Sequence, residues 1–393
     1  MKLSDICKYR NEKINLKDIN ENEYVSTDNM LPNFVGLGEL KSFPNVDRVN
    51  KFCRNDILLS NIRPYFKKMI LSDNNSGCSS DVLVIETINK DVNPKFLYYR
   101  LRLDDFFDYV ILTSKGTKMP RGDKKAIMNF ELEVPKLDIQ NKIVKIIENI
   151  DKKIELNNKI NNNLFELLKQ EFREKFYNKE GEKSYLIDYI SKTIGGDWGK
   201  ESPEGNNNTR VYCVRGADIP SMEYGNKGNA PIRYILEKNY KNKKLDPNDI
   251  IIEISGGSPT QSTGRTAYIT KSILDMYNSP LLCTNFCRAI ESKSDILAPF
   301  VYMNLKLMYE DDIFFNWENG TTGIKNLALN DMLSNLEVKS PNEIDLEDFY
   351  LLFNNIMNKI SNNSNENIKL QQLMDTLLPK LMNGEIKLEN IEI

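Results

Sequence analysis

The side chains best suited to chemistry in this chain are Arg, Lys, Gln and Tyr set among glycine, serine and threonine, and they suit binding. Arg63, Tyr65, Lys67 and Lys68 follow the apolar stretch Asp56-Ile57-Leu58-Leu59. Lys118, Arg121, Lys124 and Lys125 lie on or beside the polar loop Ser114 to Asp123, which carries Gly116-Thr117 and Gly122. Later, the loop Ser255 to Arg265 carries Ser258, Gln261, Thr263 and Arg265, and the loop Asn319 to Lys325 carries Thr321, Thr322 and Lys325. Backbone N–H groups in such loops suit phosphate oxygens, while Arg, Lys and Gln can reach phosphates and base edges. These residues are the candidate nucleic-acid contacts. The net charge of −3 does not oppose this, since binding needs a local patch rather than a basic average.

Bond-making chemistry has little to stand on. The absence of histidine removes the commonest general base, the triads that depend on it and most zinc catalysis. Gly257 to Arg265 lacks the lysine of a phosphate-binding loop, and no Gly-x-Gly-x-x-Gly opens a helix after a strand. Asn93-Pro94-Lys95-Phe96 departs at Lys95 from the Asn-Pro-Pro-Phe/Tyr motif of DNA amino-methyltransferases, and here it opens a helix. Of the six cysteines only Cys283 and Cys287 are close, without a second pair at zinc spacing. No catalytic residue and no metal ligand is therefore expected. Short apolar runs and an N-terminus without an apolar stretch predict neither a membrane span nor a signal peptide, and free thiols point to a reducing cytoplasm.

The elements that must position the loops occur twice. Ile143, Ile147, Ile150, Ile154, Asn157, Asn161, Leu164 and Leu168 follow the alternating spacing of a coiled-coil seam. The spacing returns in Phe349, Phe353, Ile356, Ile360, Asn363, Asn367, Leu370 and Met374, with two asparagines at the same two seam positions. A polar seam residue costs stability and fixes register and partner, so the two helices are expected to pair with each other. The first, from about Asp138 to Tyr177, would be on the order of 60 Å long and needs a partner along its seam.

The repeat extends upstream. Leu132-Glu133-Val134 returns as Leu336-Glu337-Val338, Gly116-Thr117 as Gly320-Thr321, and Asn55-Asp56-Ile57 as Asn248-Asp249-Ile250. Phe96, Tyr98, Leu101 and Leu103 match Phe300, Tyr302, Leu305 and Leu307. Each copy reads as strands, a helix opened by proline (Pro94, Pro299), a Gly-Thr loop and a last strand, which in the first copy is Phe130 to Val134. The domains expected are a globular part over 1–137, a helix over 138–179, a second globular part over 180–341, and a helix with its tail over 342–393. The fold class is α+β, with two β-rich α/β parts alternating with two long helices and a pseudo-twofold plan from the duplication. Ser361-Asn362-Asn363-Ser364-Asn365 lowers helix propensity and predicts a fray or kink.

The chain resembles the specificity subunit of type I restriction-modification systems over nearly its whole length. The likeness is most specific in Pro135 to Ile143, in Ile150 to Asn157 and in Leu377-Leu378-Pro379-Lys380-Leu381-Met382-Asn383-Gly384-Glu385-Ile386. The resemblance implies two target-recognition domains, each reading half of a split site in double-stranded DNA, and long helices that pack antiparallel as a spacer setting the gap. It implies two modification subunits as partners, carrying the S-adenosylmethionine that methylates adenine. Where a system has restriction subunits, these join with ATP and Mg. The chain itself then holds no cofactor and acts in the cytoplasm without a membrane. One departure is Pro341-Asn342-Glu343-Ile344-Asp345, which lacks the Gln of the first copy and blurs the start of the second helix. Two alternatives stand beside this reading. A self-sufficient methyltransferase or nuclease would bind S-adenosylmethionine or metal alone, and a coiled-coil assembly scaffold would show no DNA preference.

Overall fold

The computed structural model describes residues 1–258, 261–320 and 325–388. The chain forms two units, Met1–Lys152 with the chain from Leu370 onward, and Lys153–Lys369. Each unit holds one globular part and a portion of both long helices.

In the first unit, β1 (Cys7–Tyr9), β2 (Ile57–Ser60), β3 (Met69–Leu71) and β4 (Val82–Thr87) form an antiparallel sheet in the order β1-β4-β2-β3. Every residue of β2 is buried. Alternation sends Ile57 and Leu59 into a core with Leu97, Leu101, Phe106 and Phe107, and sends Leu58 into another with Phe52, Cys78 and Val84. The first core is covered by α1 (Pro94–Arg100), α2 (Asp104–Leu112) and α3 (Lys124–Met128). Pro94 stands at the first helical position of α1, and Asn93 Oδ1 caps it by accepting from Lys95 N (2.9 Å). The second core is closed by the antiparallel strands Lys13–Asn15, Arg48–Phe52 and Ser76–Cys78.

The segment Phe130 to Val134, expected as a strand, makes a single bridge, between Lys2 and Glu131. Its neighbour enters a 3-10 turn at Leu3–Asp5, so the ladder stops. α4 (Leu137–Phe172) then begins and closes with one π-turn over Arg173–Tyr177. Gln140 fixes its start. Its Nε2 donates to the carbonyls of Asp91 and Pro135 (both 2.8 Å), and its Oε1 accepts from Asn93 N (2.8 Å).

The second unit repeats the sheet. β5 (Ile190–Gly195), β6 (Ile250–Glu253), β7 (Thr266–Tyr268) and β8 (Cys287–Ser292) lie antiparallel in the order β5-β8-β6-β7. Again the central strand serves two cores: Ile250 and Ile252 pack with Phe300 and Phe349, and Ile251 with Val214, Ile219 and Ala289. The turns into β2 and β6 also match, with Asn55 (φ 71) and Asn248 (φ 74) both left-handed, a conformation asparagine tolerates. The accompanying sheet differs, because Asn207–Val214 runs antiparallel to Ile232–Leu236 but parallel to Leu281–Cys283. The helices of this unit include α5 (Ile219–Glu223), α6 (Leu297–Glu310), α7 (Leu329–Asn335) and α8 (Glu343–Met382). Pro299 lies in the first turn of α6 rather than opening it, where its missing N–H costs no helical bond. α8 starts at Glu343 because Asn342 Oδ1 accepts from Asp345 N (2.8 Å).

The helices pair antiparallel in the second unit. Asn157 Nδ2 donates to Asn367 Oδ1 (2.9 Å), and Asn363 Nδ2 donates to Asn161 Oδ1 (2.8 Å). All four asparagines are buried, so each asparagine faces the repeat counterpart of the other. Leu168, Phe349, Phe353, Ile356 and Ile360 are buried along this seam, and Ile154 and Leu164 are half-buried. In the first unit Ile143, Ile147, Ile150 and Met374 are buried and Leu370 is half-buried. The fray expected at Ser361 to Asn365 does not occur, and α8 runs through it. Three of these polar side chains, Asn363, Ser364 and Asn365, have partners. Ser364 Oγ donates to the Tyr224 carbonyl (3.1 Å) and accepts from Asn161 Nδ2 (3.2 Å), and Asn365 Nδ2 donates to Ser272 Oγ (3.2 Å). Their small size lets a loop reach the helix: a Cβ on Gly225 (φ +71) would stand 3.1 Å from Ile360 Cγ2 and 3.5 Å from Ser364 Oγ.

Candidate nucleic-acid interface

In the first unit the loop after β2 is zipped to the Gly-Thr loop. Arg63 N donates to the Pro120 carbonyl (2.8 Å), Gly122 N to the Asn61 carbonyl (3.2 Å), and Ile62 bridges Arg121. Lys115 and Arg121 exchange both backbone bonds (2.8 Å each) and close a small hairpin. Arg63, Lys118, Lys124 and Lys125 are exposed and make no side-chain ion pair among the described residues. Tyr65 is exposed beside Phe66, with ring centroids 4.7 Å apart.

The remaining first-unit candidates are tied to the protein. Lys67 pairs with Asp104 at the start of α2. Lys68 turns inward and donates to the Thr27 carbonyl (2.7 Å), and burial pushes its pKa down. Arg121 meets Asp81 at 3.1 Å. Asp123 organises the end of the loop. It caps α3 by accepting from Lys125 N (2.9 Å) and Ala126 N (3.1 Å), and it pairs with Lys115. The Lys115 bond and those backbone donors hold its carboxyl at about 2.

The second unit joins the same two loops by a sheet. Ser255–Gly256 pairs with Lys325–Asn326, and Glu318–Asn319 pairs on the other side. Ser258 N donates to the Gln261 carbonyl (2.7 Å), and Gly257 just before it has φ +71. Gln261 Nε2 donates to Tyr309 Oη (3.2 Å). Thr263 N donates to Glu318 Oε1 (2.6 Å), and Lys325 pairs with Glu318 Oε2 (2.7 Å) while lying over the Phe315 ring (4.9 Å). Partial burial works against the Glu318 carboxylate, yet the bonds from Lys325 and Thr263 leave its pKa lowered. Arg265 is held by Glu253 through two bonds of 2.9 and 2.6 Å. Thr321 and Thr322 lie outside the described residues.

A cleft of about 540 Å³ in the second unit was not legible in the sequence. Trp198, Arg215, Gly216, Glu253, Gly256 and Phe286 line it. Phe286 is 56% exposed, and Arg233 stacks over the Trp198 ring at 3.9 Å. One signal was available: Gly195-Gly196 before Trp198 marks a close backbone approach, and a Cβ on Gly196 would stand 1.9 Å from the Thr284 carbonyl oxygen. Phe286 sits in a short turn between two strands, where nothing local separates a surface ring from a core ring.

Residues 1–166 match the family model of the type I restriction modification DNA specificity domain. The chain is 23% identical over 331 residues to the MjaIX type I restriction enzyme specificity subunit of Methanocaldococcus jannaschii, covering 77% of this chain and 72% of that protein. It is 22% identical over 411 residues to the HindI specificity subunit of Haemophilus influenzae, covering 85% and 87%. In fold it resembles the crystal structure of the type I restriction-modification system S subunit from M. genitalium, with a TM-score of 0.54 and 14% identity over 97% of this chain and 95% of that one. Residues 1–166 thus match the type I specificity domain, and the chain as a whole is similar in sequence and in fold to type I restriction-modification specificity subunits.

Proposed function

We propose that this chain is the DNA-reading subunit of a type I restriction-modification complex, in which each globular part reads one half of a split target. The observation that carries this reading is the recurrence, on two sheets of the same order, of a loop after the central strand joined to a Gly-Thr loop. A shared frame with different loop sequences suits two different half-sites. Exposed cations such as Arg63 and Lys118 suit phosphates, which position a protein on the duplex, and base-edge contacts from other loop residues add specificity.

Bond-making then belongs to partners. Two modification subunits carry S-adenosylmethionine and methylate adenine, and restriction subunits, where the system has them, use ATP and Mg. A chain without histidine suits that division. The complex acts on cellular DNA in the cytoplasm.

The test is a genome-wide map of methylated bases in cells with and without this chain. Loss of one motif, two short half-sites around a fixed gap, is the expected result. An unchanged map, together with failure of the purified chain to associate with a modification subunit, overturns the reading.

A further inference from the structure

Arg265 is the residue whose surroundings say most about what it would read. Glu253, the last residue of β6, is only 3% exposed, and its carboxylate grips the arginine side-on. Oε2 accepts from Nε (2.9 Å) and Oε1 accepts from Nη2 (2.6 Å). Those bonds occupy one edge of the guanidinium. Among the described residues Nη1 has no partner, and the side chain keeps 26% of its exposure.

The backbone around the pair is built for it. A Cβ on Gly216 would stand 2.2 Å from Glu253 Oε1 and 3.3 Å from Arg265 Nη2. A Cβ on Gly256 would stand 2.5 Å from the same carboxylate oxygen. Any other residue at either position would push the carboxylate off the arginine. Glu253, Gly216 and Gly256 all line the cleft that Phe286 borders.

We propose that Arg265, clamped by Glu253, reads a guanine in the half-site of the second globular part; this rests on the reading of that part as a DNA reader. A guanidinium has five N–H donors in a fixed fork. With the Nε–Nη2 edge on a carboxylate, the Nη1–Nη2 edge presents two parallel donors. Guanine, with O6 and N7 side by side in the major groove, is the base that accepts from both. The clamp fixes the side chain before DNA arrives, so little rotamer freedom is lost on contact. Glu253 is the positioning residue. Its carboxylate faces the arginine through both oxygens and is only 3% exposed, so the arginine is the group presented to DNA. In the first unit Arg121 meets Asp81 through one contact of 3.1 Å with half its side chain exposed, a looser arrangement.

The test maps the methylation motif of the complete complex with the wild-type chain, Arg265→Ala, Arg265→Lys and Glu253→Ala. One half-site should contain a G·C pair whose preference falls about ten- to a hundredfold in both Arg265 variants. Other positions and the other half-site should keep their bases. Lysine fails here because a point charge cannot make the paired contact. Glu253→Ala should relax the same position less, because the arginine remains but is loose. A merely structural role for the pair would lower methylation evenly and move no base preference. A second arm needs no variant: wild-type complex binds duplexes in which each guanine of the half-sites is replaced in turn by 7-deazaguanine, which lacks the N7 acceptor. One guanine should weaken binding about tenfold, and Arg265→Ala should abolish that difference. Unchanged preference in the Arg265 variants, or no sensitive guanine, overturns the assignment while the split-site reading stands. No split motif with the wild-type chain overturns both.

Discussion

In the first unit α1 meets α4 through charged and polar side chains. Lys95 pairs with Glu148 (2.6 Å), Tyr99 Oη donates to Asp151 (2.8 Å), and Arg102 pairs with Asp151 (3.1 Å). In the second unit polar pairs remain, Lys169 with Glu310 and Arg173 with Asp311 (both 3.1 Å), and a cluster of rings is added to them. Phe172 lies 5.8 Å from Phe300 and 5.3 Å from Phe349, and Tyr268 lies 4.8 Å from Phe353. Lys306, the repeat counterpart of Arg102, turns instead to Glu223 and Glu310. The duplication has therefore kept the placement of apolar faces and let the anchoring chemistry diverge. Half-exposed ion pairs contribute about 1 kcal/mol or less each, whereas a buried ring contributes several, so the two units should respond differently to the same kind of damage.

A second divergence lies at matched aspartates. Asp56 accepts from Arg10 Nε (2.7 Å) and Cys53 N (2.7 Å). Its counterpart Asp249 accepts from Asp246 N (2.8 Å), and burial pushes its carboxyl up to about 6. Among the described residues one buried carboxylate forms an ion pair and the other does not.

The largest expected effect comes from breaking the ring cluster. Phe349→Ala should destabilise the second unit by about 3–5 kcal/mol. Tryptophan fluorescence during urea unfolding reads this directly, since Trp198 and Trp317 both lie in that unit. An effect under about 1 kcal/mol would remove the contrast with the polar anchors.

The aspartates should respond with opposite sign. Asp56→Asn leaves Arg10 short of a partner in a poorly exposed place and should cost about 2–3 kcal/mol at pH 7. For Asp249 the folded pKa lies above the unfolded value of 3.8, so the folded state takes up the proton first as pH falls. Above pH 6 the wild type carries the cost of a buried charge; between pH 6 and 3.8 that cost is relieved. Asp249→Asn should therefore be more stable than wild type at pH 7 by up to about 2–3 kcal/mol, with the difference gone near pH 4. Paired urea titrations at both pH values check the sign.

A smaller effect is expected in the helix seam. Asn161→Ala deprives Asn363 of its acceptor and should cost about 1–2 kcal/mol, seen as faster amide exchange in α4 and α8. The smallest lies on the loops. Lys118→Ala should change stability by less than about 0.5 kcal/mol yet lower the salt dependence of DNA binding by about one phosphate contact. Lys325→Ala should cost stability instead, because Glu318 loses its cation.

The paired helices and the duplicated α+β plan were legible because seam periodicity and matched landmarks are local properties. The uninterrupted α8 was not. Propensity counts Asn363 and Ser364 as weak helix formers, while their bonds to Asn161 and the Tyr224 carbonyl are tertiary. The loops were found by composition, but exposed Lys118 and inward-turned Lys68 look alike in sequence. Glu253 was missed because an acidic strand end has no mark of its own until Arg265 is placed beside it.

Gln140 has a consequence at the level of the genetic code. Its amide donates twice and accepts once in a site with no exposure. Glutamate lacks the donors and lysine lacks the acceptor, and a single nucleotide change converts a glutamine codon to either. Saturation mutagenesis scored by DNA methylation should leave position 140 nearly intolerant of change, while exposed Lys145 one turn on accepts most residues.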